Sequence, residues 1–196
     1  MITPDSDARR VVDVAAAAVR GGAGIVQLRH KTMPRGELLE LAREVRRVTG
    51  DALFIVNDHV DIALLAEADG VHLGPDDLDL AAARRVAGGR LLIGASASTV
   101  DAARAAIAAG ADYLGCGPAF ATPIKTEKRV IGPAGIAEIS RAIGEAVPVF
   151  AIGGIDATNV RELTAVGLRR ACVIRAVGQA ADPEQAARAL RAMLEA

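Results

Sequence analysis

The sequence predicts a (β/α)8 TIM barrel formed by one domain, residues 1–196, with a shortened first strand. Three observations carry that prediction. Short apolar runs alternate along the whole chain with Ala-rich amphipathic stretches, the rhythm of parallel strands joined by helical crossovers. The runs lack clean apolar–polar alternation, as strands covered on both faces do. Eight strand candidates also fit within 196 residues, which suits a compact barrel. An open doubly wound sheet is the other architecture that the same alternation permits.

The strand candidates are Ile2-Thr3-Pro4, then GIVQLR from Gly24, LFIVND from Leu53, GVHLG from Gly70 and LLIGAS from Leu91. DYLGCG from Asp112, PVFAIGG from Pro148 and RACVIRA from Arg170 complete the set. Helices are expected at Asp7 to Arg20, before Gly21-Gly22, and at Gly36 to Val48, where Leu38, Leu39, Leu41 and Val45 share one side. Thr99 to Ala109 and Asp182 to Leu194 repeat that periodicity. Asp101, Asp156 and Asp182 sit near helix starts, while Gly50, Gly110 and Gly167 sit near helix ends.

Composition narrows the function. The chain is 52% hydrophobic but only 2% aromatic, so its core is aliphatic and it offers no stacking platform for single-stranded nucleic acid. A net charge of −1 supplies no field to steer it toward nucleic acid or acidic lipid, so any anion must be held by local groups. The two cysteines, Cys116 and Cys172, lie far apart in apolar segments, which argues against a disulfide framework and for a reducing compartment. With no membrane-length apolar run and a polar MITPDSDARR start, a cytoplasmic protein is expected. Aliphatic helices of this kind also permit a homodimer.

In a barrel, polar groups just past the C-terminal ends of the strands face the active site. Gln27, Arg29 and Lys31 fall on one side of an extended segment, placing one amide and two cations together. The amide can pair with the edge of a heterocycle, and the cations can hold phosphate or equally snorkel at a strand end. Asn57-Asp58 ends the next run, and Asp76, Asp77 and Asp79 follow the one after it. Asp58 and Asp77 could hold Mg2+, whereas Asp76 suits a turn and Asp79 a helix cap. The non-periodic stretch from Pro118 to Pro133 carries Thr122 and Lys125 and suits a lid or phosphate clamp, expected to be mobile without ligand over 122–132. Lys128 and Arg129 read as solvated. Gly153-Gly154 and Ile174-Arg175 end the last two runs, where barrels bind phosphate through backbone N–H groups. His30, His59 and His72 lack zinc-ligand spacing, and His72 reads as a satisfied core residue.

Taken together, VQLRHK, NDHVDIALLAEADGVHLGPDDLDL, GASAST, DYLGCGPAFATPIK, AIGGI and VIRAVGQAADPEQAARAL resemble thiamine phosphate synthase over nearly the whole chain. The resemblance implies a barrel enzyme that joins a pyrimidine diphosphate to a thiazole phosphate and releases pyrophosphate. Its partners would be small phosphorylated molecules, with no nucleic acid and no membrane. On these residues it implies Gln27 and Ser96 at the pyrimidine. Arg29, Lys31 and Lys125 become catalytic cations that hold the diphosphate with Asn57, and Asp58 and Asp77 hold Mg2+. Thr122 and the backbone at Gly154, Ile174 and Arg175 receive the thiazole phosphate.

The chain departs from the family pattern at three places. The loop T-x-T-K reads Thr122-Pro123-Ile124-Lys125, a common His is Ser98, and the first strand is little more than Ile2-Thr3. A related thiazole tautomerase uses a His near the sixth strand end, where Pro118 follows Gly117 here. That enzyme, or a non-catalytic binder of thiamine precursors, is the alternative.

Overall fold

The computed structural model describes residues 1–122 and 129–196. Seven strands form one parallel sheet in strict sequence order. They are β1 (Ile25–Leu28), β2 (Leu53–Asn57), β3 (Gly70–Leu73), β4 (Leu92–Ala97), β5 (Tyr113–Cys116), β6 (Val149–Ile152) and β7 (Ala171–Cys172). The helices are α1 (Ala8–Arg20), α2 (Arg35–Thr49), α3 (Val60–Leu65), α4 (Leu80–Ala87), α5 (Val100–Ala108), α6 (Gly132–Ile143), α7 (Val160–Ala165), α8 (Arg175–Gly178) and α9 (Pro183–Glu195). Strand order equal to chain order, with a helix at every crossover, is what the alternating pattern calls for.

The first strand candidate is reduced to an isolated parallel bridge between Ile2 and Gln27. Backbone bonds still tie it on both sides. Gln27 N donates to Met1 O (2.8 Å), Thr3 N donates to Gln27 O (2.9 Å), and Ile2 N donates to Val173 O (2.9 Å) just beyond β7. Helix α1 correspondingly packs against both α2 and α9. The approach to α9 is tight because a Cβ on Gly21 would lie 2.3 Å from the carbonyl oxygen of Glu184. Only glycine fits there.

The core is aliphatic, as the composition requires: Leu28, Ile55, Leu73, Ile93, Leu114 and Ile136 are buried, with Phe54 the one aromatic among the largest fully buried side chains. Two aspartates staple the sheet to its helices in the same way. Asp69, before β3, accepts from Phe54 N at the start of β2 (2.7 Å) and from Arg46 of α2 (2.9 Å). Asp112, before β5, accepts from Ile93 N of β4 (2.7 Å) and from Arg84 of α4 (2.6 Å). Each carboxylate satisfies a strand N–H that has no ladder partner and anchors a cation from the helix packed above it. Asp69→Ala should lower the unfolding free energy by about 2 kcal/mol in urea titration, because it strands the buried Phe54 N–H.

The four helices expected from the sequence, α1, α2, α5 and α9, begin and end within a residue or so of their expected bounds. The short α3, α4, α7 and α8 span too few turns to show a period in sequence. Helix α6 starts at Gly132 with a proline in its first turn, inside the stretch that reads as irregular up to Pro133. Residues 123–128, which include Ile124, Lys125 and Lys128, lie outside the described residues, so most of the expected mobile lid does too. Among the described residues no helix is long and apolar enough to cross a membrane.

Candidate active site

Three of the polar residues read from the sequence, Lys31, Asp58 and Asp77, meet just past the C-terminal ends of β1, β2 and β3. Lys31, three residues past β1, reaches Asp58 just past β2, with Nζ 2.5 Å from Oδ2. Asp58 adopts φ 66, a left-handed conformation that costs a non-glycine residue about 1 kcal/mol or more. It is held there by its N–H, which donates to His72 O (2.9 Å), and by the ion pair with Lys31. The carboxylate is thereby fixed on the site side of the turn. Asp77 folds back so that Oδ2 accepts from Gly74 N (2.7 Å) just after β3. Burial pushes the Asp77 carboxyl above its ordinary value, and the neighbouring Asp58, within hydrogen-bonding reach, pushes it in the same direction.

Two close carboxylates beside one lysine suit a hard divalent cation that takes one or two protein carboxylates and completes its shell with water and phosphate oxygens. Lys31 and the bond from Gly74 N pull the Asp77 carboxyl the other way, and burial with Asp58 outweighs them. Among the described residues no group of three or more His, Cys, Asp or Glu could hold a metal. Asp58 and Asp77 are the pair of carboxylates that these strand ends bring close together. Asp76 sits in the turn after β3, and Asp79 caps α4 by accepting from Ala82 N (2.8 Å), as the bland reading of that cluster expects.

Arg29 has a partner that the sequence does not announce. Its Nη1 lies 2.8 Å from Asp5 Oδ2, while Asp5 Oδ1 accepts from Lys31 N (3.1 Å). Thr3 Oγ1 accepts from Arg29 N (3.0 Å). Asp5 and Thr3 thus brace the segment that carries both cations, and they can do so because the Ile2 bridge lays the N-terminal segment along β1. Asn57 ends β2 and is half-buried.

The glycine pair after β6 has a different role in packing. Gly153 and Gly154 adopt φ 103 and φ 66. A Cβ on Gly154 would lie 2.6 Å from Ala121 O, and one on Gly153 would lie 2.7 Å from Pro118 Cβ. The turn therefore presses directly on the segment leading to Thr122. Asn159 Nδ2 donates to Gly154 O (2.8 Å) and fixes the turn from the other side. Ile174 precedes the short α8, which Arg175 opens as an exposed cation. Arg175 adds a small pull to Asp156, whose carboxyl is held low chiefly by hydrogen bonds from Thr158.

Inside the sheet, Ser96 on β4 lies 3.0 Å from His72 Nε2, and His72 Nδ1 lies 3.3 Å from the Tyr113 hydroxyl. Gln27 is buried on β1. His72 is a satisfied interior histidine as expected, but its partner is a site residue. Tyr113 is absent from the sequence-derived set because it sits in an apolar run with nothing local to mark it. Ser98 is exposed. Cys116 and Cys172 are free thiols, and burial pushes Cys116 up to about 11, so it is no nucleophile at neutral pH.

A family model described as thiamine monophosphate synthase matches residues 1–177. The thiamine-phosphate synthase of Anaeromyxobacter dehalogenans is 48% identical over 184 residues, covering 93% of this chain and 82% of that protein. That of Pyrococcus horikoshii is 42% identical over 194 residues, covering 97% and 92%. The solved thiamine phosphate pyrophosphorylase from Pyrococcus furiosus superposes with a TM-score of 0.89 at 40% identity, covering 99% of this chain and 93% of that one.

Proposed function

Because the chain belongs to the thiamine monophosphate synthase family, we propose a mechanism in which it couples 4-amino-2-methyl-5-hydroxymethylpyrimidine diphosphate to thiazole phosphate with the help of Mg2+. The products are thiamine phosphate and pyrophosphate. The observation that carries the mechanism is the cluster of Lys31, Asp58 and Asp77 at adjacent strand ends.

Asp58 and Asp77 would hold Mg2+, which when bound supplies positive charge beside the diphosphate. Arg29 and Lys31, with Lys125 from the residues outside the description and Asn57, bind the diphosphate oxygens and stabilise the charge that builds up as the leaving group departs. The bond between the methylene carbon and the diphosphate oxygen breaks first, and the amino-pyrimidine ring delocalises the resulting positive charge. Gln27 and Ser96 orient that ring. Thr122 and the backbone at Gly154, Ile174 and Arg175 hold the thiazole phosphate so that the thiazole nitrogen faces the methylene carbon. Its lone pair closes the new C–N bond. No protein nucleophile or strong base is needed, in keeping with a site built from cations, carboxylates and amides.

We also read the fold as a closed (β/α)8 barrel of one domain, supported by the backbone bonds of residues 1–3 to β1 on one side and to Val173 on the other. Two free thiols support a reducing, cytoplasmic setting.

Purified protein given both substrates and Mg2+ should form thiamine phosphate, measured as its fluorescent oxidation product, and excess EDTA should abolish the product. Isomerisation of a thiazole carboxylate phosphate without Mg2+, with no coupling, would make the chain a tautomerase instead. Binding of both substrates without turnover would leave a non-catalytic binder.

A further inference from the structure

The N-terminal segment lays one carboxylate across both residues that carry the cations after β1. Asp5 Oδ2 accepts from Arg29 Nη1 (2.8 Å), and Asp5 Oδ1 accepts from Lys31 N (3.1 Å). Among the described residues the Arg29 guanidinium makes no other bond, so four of its five N–H groups remain for a ligand. The Arg29 side chain is 16% exposed and that of Asp5 47%. Water screens a pair that is open on one side, so it adds little to global stability. Its effect is on where the guanidinium lies.

The turn that carries Asp5 is anchored without it. Thr3 N donates to Gln27 O (2.9 Å), and Thr3 Oγ1 accepts from Arg29 N (3.0 Å). His30, between the two cations, adds a clasp. Its Nδ1 accepts from Met33 N (3.1 Å), so a neutral ring carries its hydrogen on Nε2 and donates it to Ser6 O (3.1 Å). Residues 3 and 6 are thus held on either side of Asp5, whatever Asp5 itself bonds.

We propose that Asp5 is a positioning residue that tethers the Arg29 guanidinium where charge builds up on the departing diphosphate, at the expense of affinity for free pyrophosphate. This rests on the proposed diphosphate reading. Two effects oppose each other at this carboxylate. Its negative charge weakens the hold on any phosphate near Arg29. Its two oxygens remove the freedom of a long side chain in advance of the reaction. A loosened Arg29 can still follow pyrophosphate, yet it no longer waits where the leaving oxygen gains charge.

Asp5→Asn separates the two effects. An amide has one accepting oxygen, so it serves Lys31 N or Arg29 Nη1 but not both, and its NH2 group faces the other donor. The kcat/KM for the pyrimidine diphosphate, which does not depend on product release, should fall about tenfold. The dissociation constant of pyrophosphate with Mg2+, measured by calorimetry, should stay within about twofold or tighten. The melting temperature should move by less than about 2 °C. In an Arg29→Met background, Asp5→Asn should cost less than about twofold, because the tethered group is gone. NMR relaxation of the Arg29 Nε–Hε signal on the full chain, assigned by its loss in Arg29→Met, should show it ordered in the wild type and mobile in Asp5→Asn. Equal mobility in the two proteins overturns the proposal, and so does a kcat/KM within about twofold of wild type. Pyrophosphate binding weakened as far as kcat/KM, or a full tenfold loss in the Arg29→Met background, does the same. The relaxation measurement needs no substrate, so failure of the coupling assay removes the diphosphate reading while the tether is still judged by NMR.

Discussion

Asp77→Asn is expected to raise the melting temperature of the metal-free protein while lowering Mg2+-dependent turnover about a hundredfold or more. Both effects come from one carboxylate. Asn keeps an oxygen to accept from Gly74 N, now 2.7 Å from Asp77 Oδ2, so the turn after β3 stays in place. What is lost is a negative charge that burial and Asp58 both disfavour. In the metal-free protein that loss is a relief. The sign of the pH dependence follows: the folded-state carboxyl sits above the ordinary 3.8, so the folded chain takes up this proton more readily than the unfolded one. The group therefore adds stability as pH falls through its raised value and withdraws it at neutral pH, and the variant should lack that component. Mg2+ should raise the melting temperature of the wild type at neutral pH, through preferential binding to the folded state, and leave the variant almost unmoved. Scanning fluorimetry with and without Mg2+ tests this. An equal Mg2+ shift in both proteins would remove Asp77 from the metal site.

Gly94→Ala is expected to cost about 3 kcal/mol and to lower the melting temperature by about 6–12 °C. The added methyl would lie 2.0 Å from Tyr113 Cζ and 2.4 Å from its hydroxyl oxygen, inside any permitted contact. The ring cannot simply swing away. Phe150 packs edge-on against it with centroids 5.8 Å apart, and His72 lies at 5.6 Å on the other side. Relief must come from moving β4 or β5, which are paired through Gly94 and Tyr113 themselves. Thermal melts of Gly94→Ala alone and with Tyr113→Leu measure how much of the cost is this one clash. If the second change restores none of the lost stability, the clash is not its source.

The strands were legible because a sheet covered on both faces demands runs such as LFIVN and GVHL without alternation. The long helices were legible through their period and through caps such as Asp7 and Asp182. Helices of eight residues or fewer carry no such period, although Asp79 marks the start of one of them. In the site, Lys31, Asp58 and Asp77 could be named because each follows an apolar run, where the barrel rule places active-site groups. Asp5 could not be named, because its nearness to Arg29 depends on the bridge between Ile2 and Gln27. Tyr113 was hidden for a similar reason: its contacts with His72 and Gly94 exist only in the assembled sheet. The departure at Ile124, with Lys125 beside it, falls on residues outside the described ones.

The Asp69 and Asp112 staples also bear on the order in which the chain assembles. Their bonds join residues only 15 to 28 positions apart. The bond from Ile2 to Val173 instead joins residues near opposite ends of the chain. Loop-closure entropy favours the short-range units, so each staple can set a strand–helix–strand module before the N-terminal residues meet Val173. Asp5 and Thr3 brace the Arg29–Lys31 segment only once the N-terminal residues have docked on β1. Arg29 and Lys31 are therefore expected to take their final positions late, after the modules that the staples hold together.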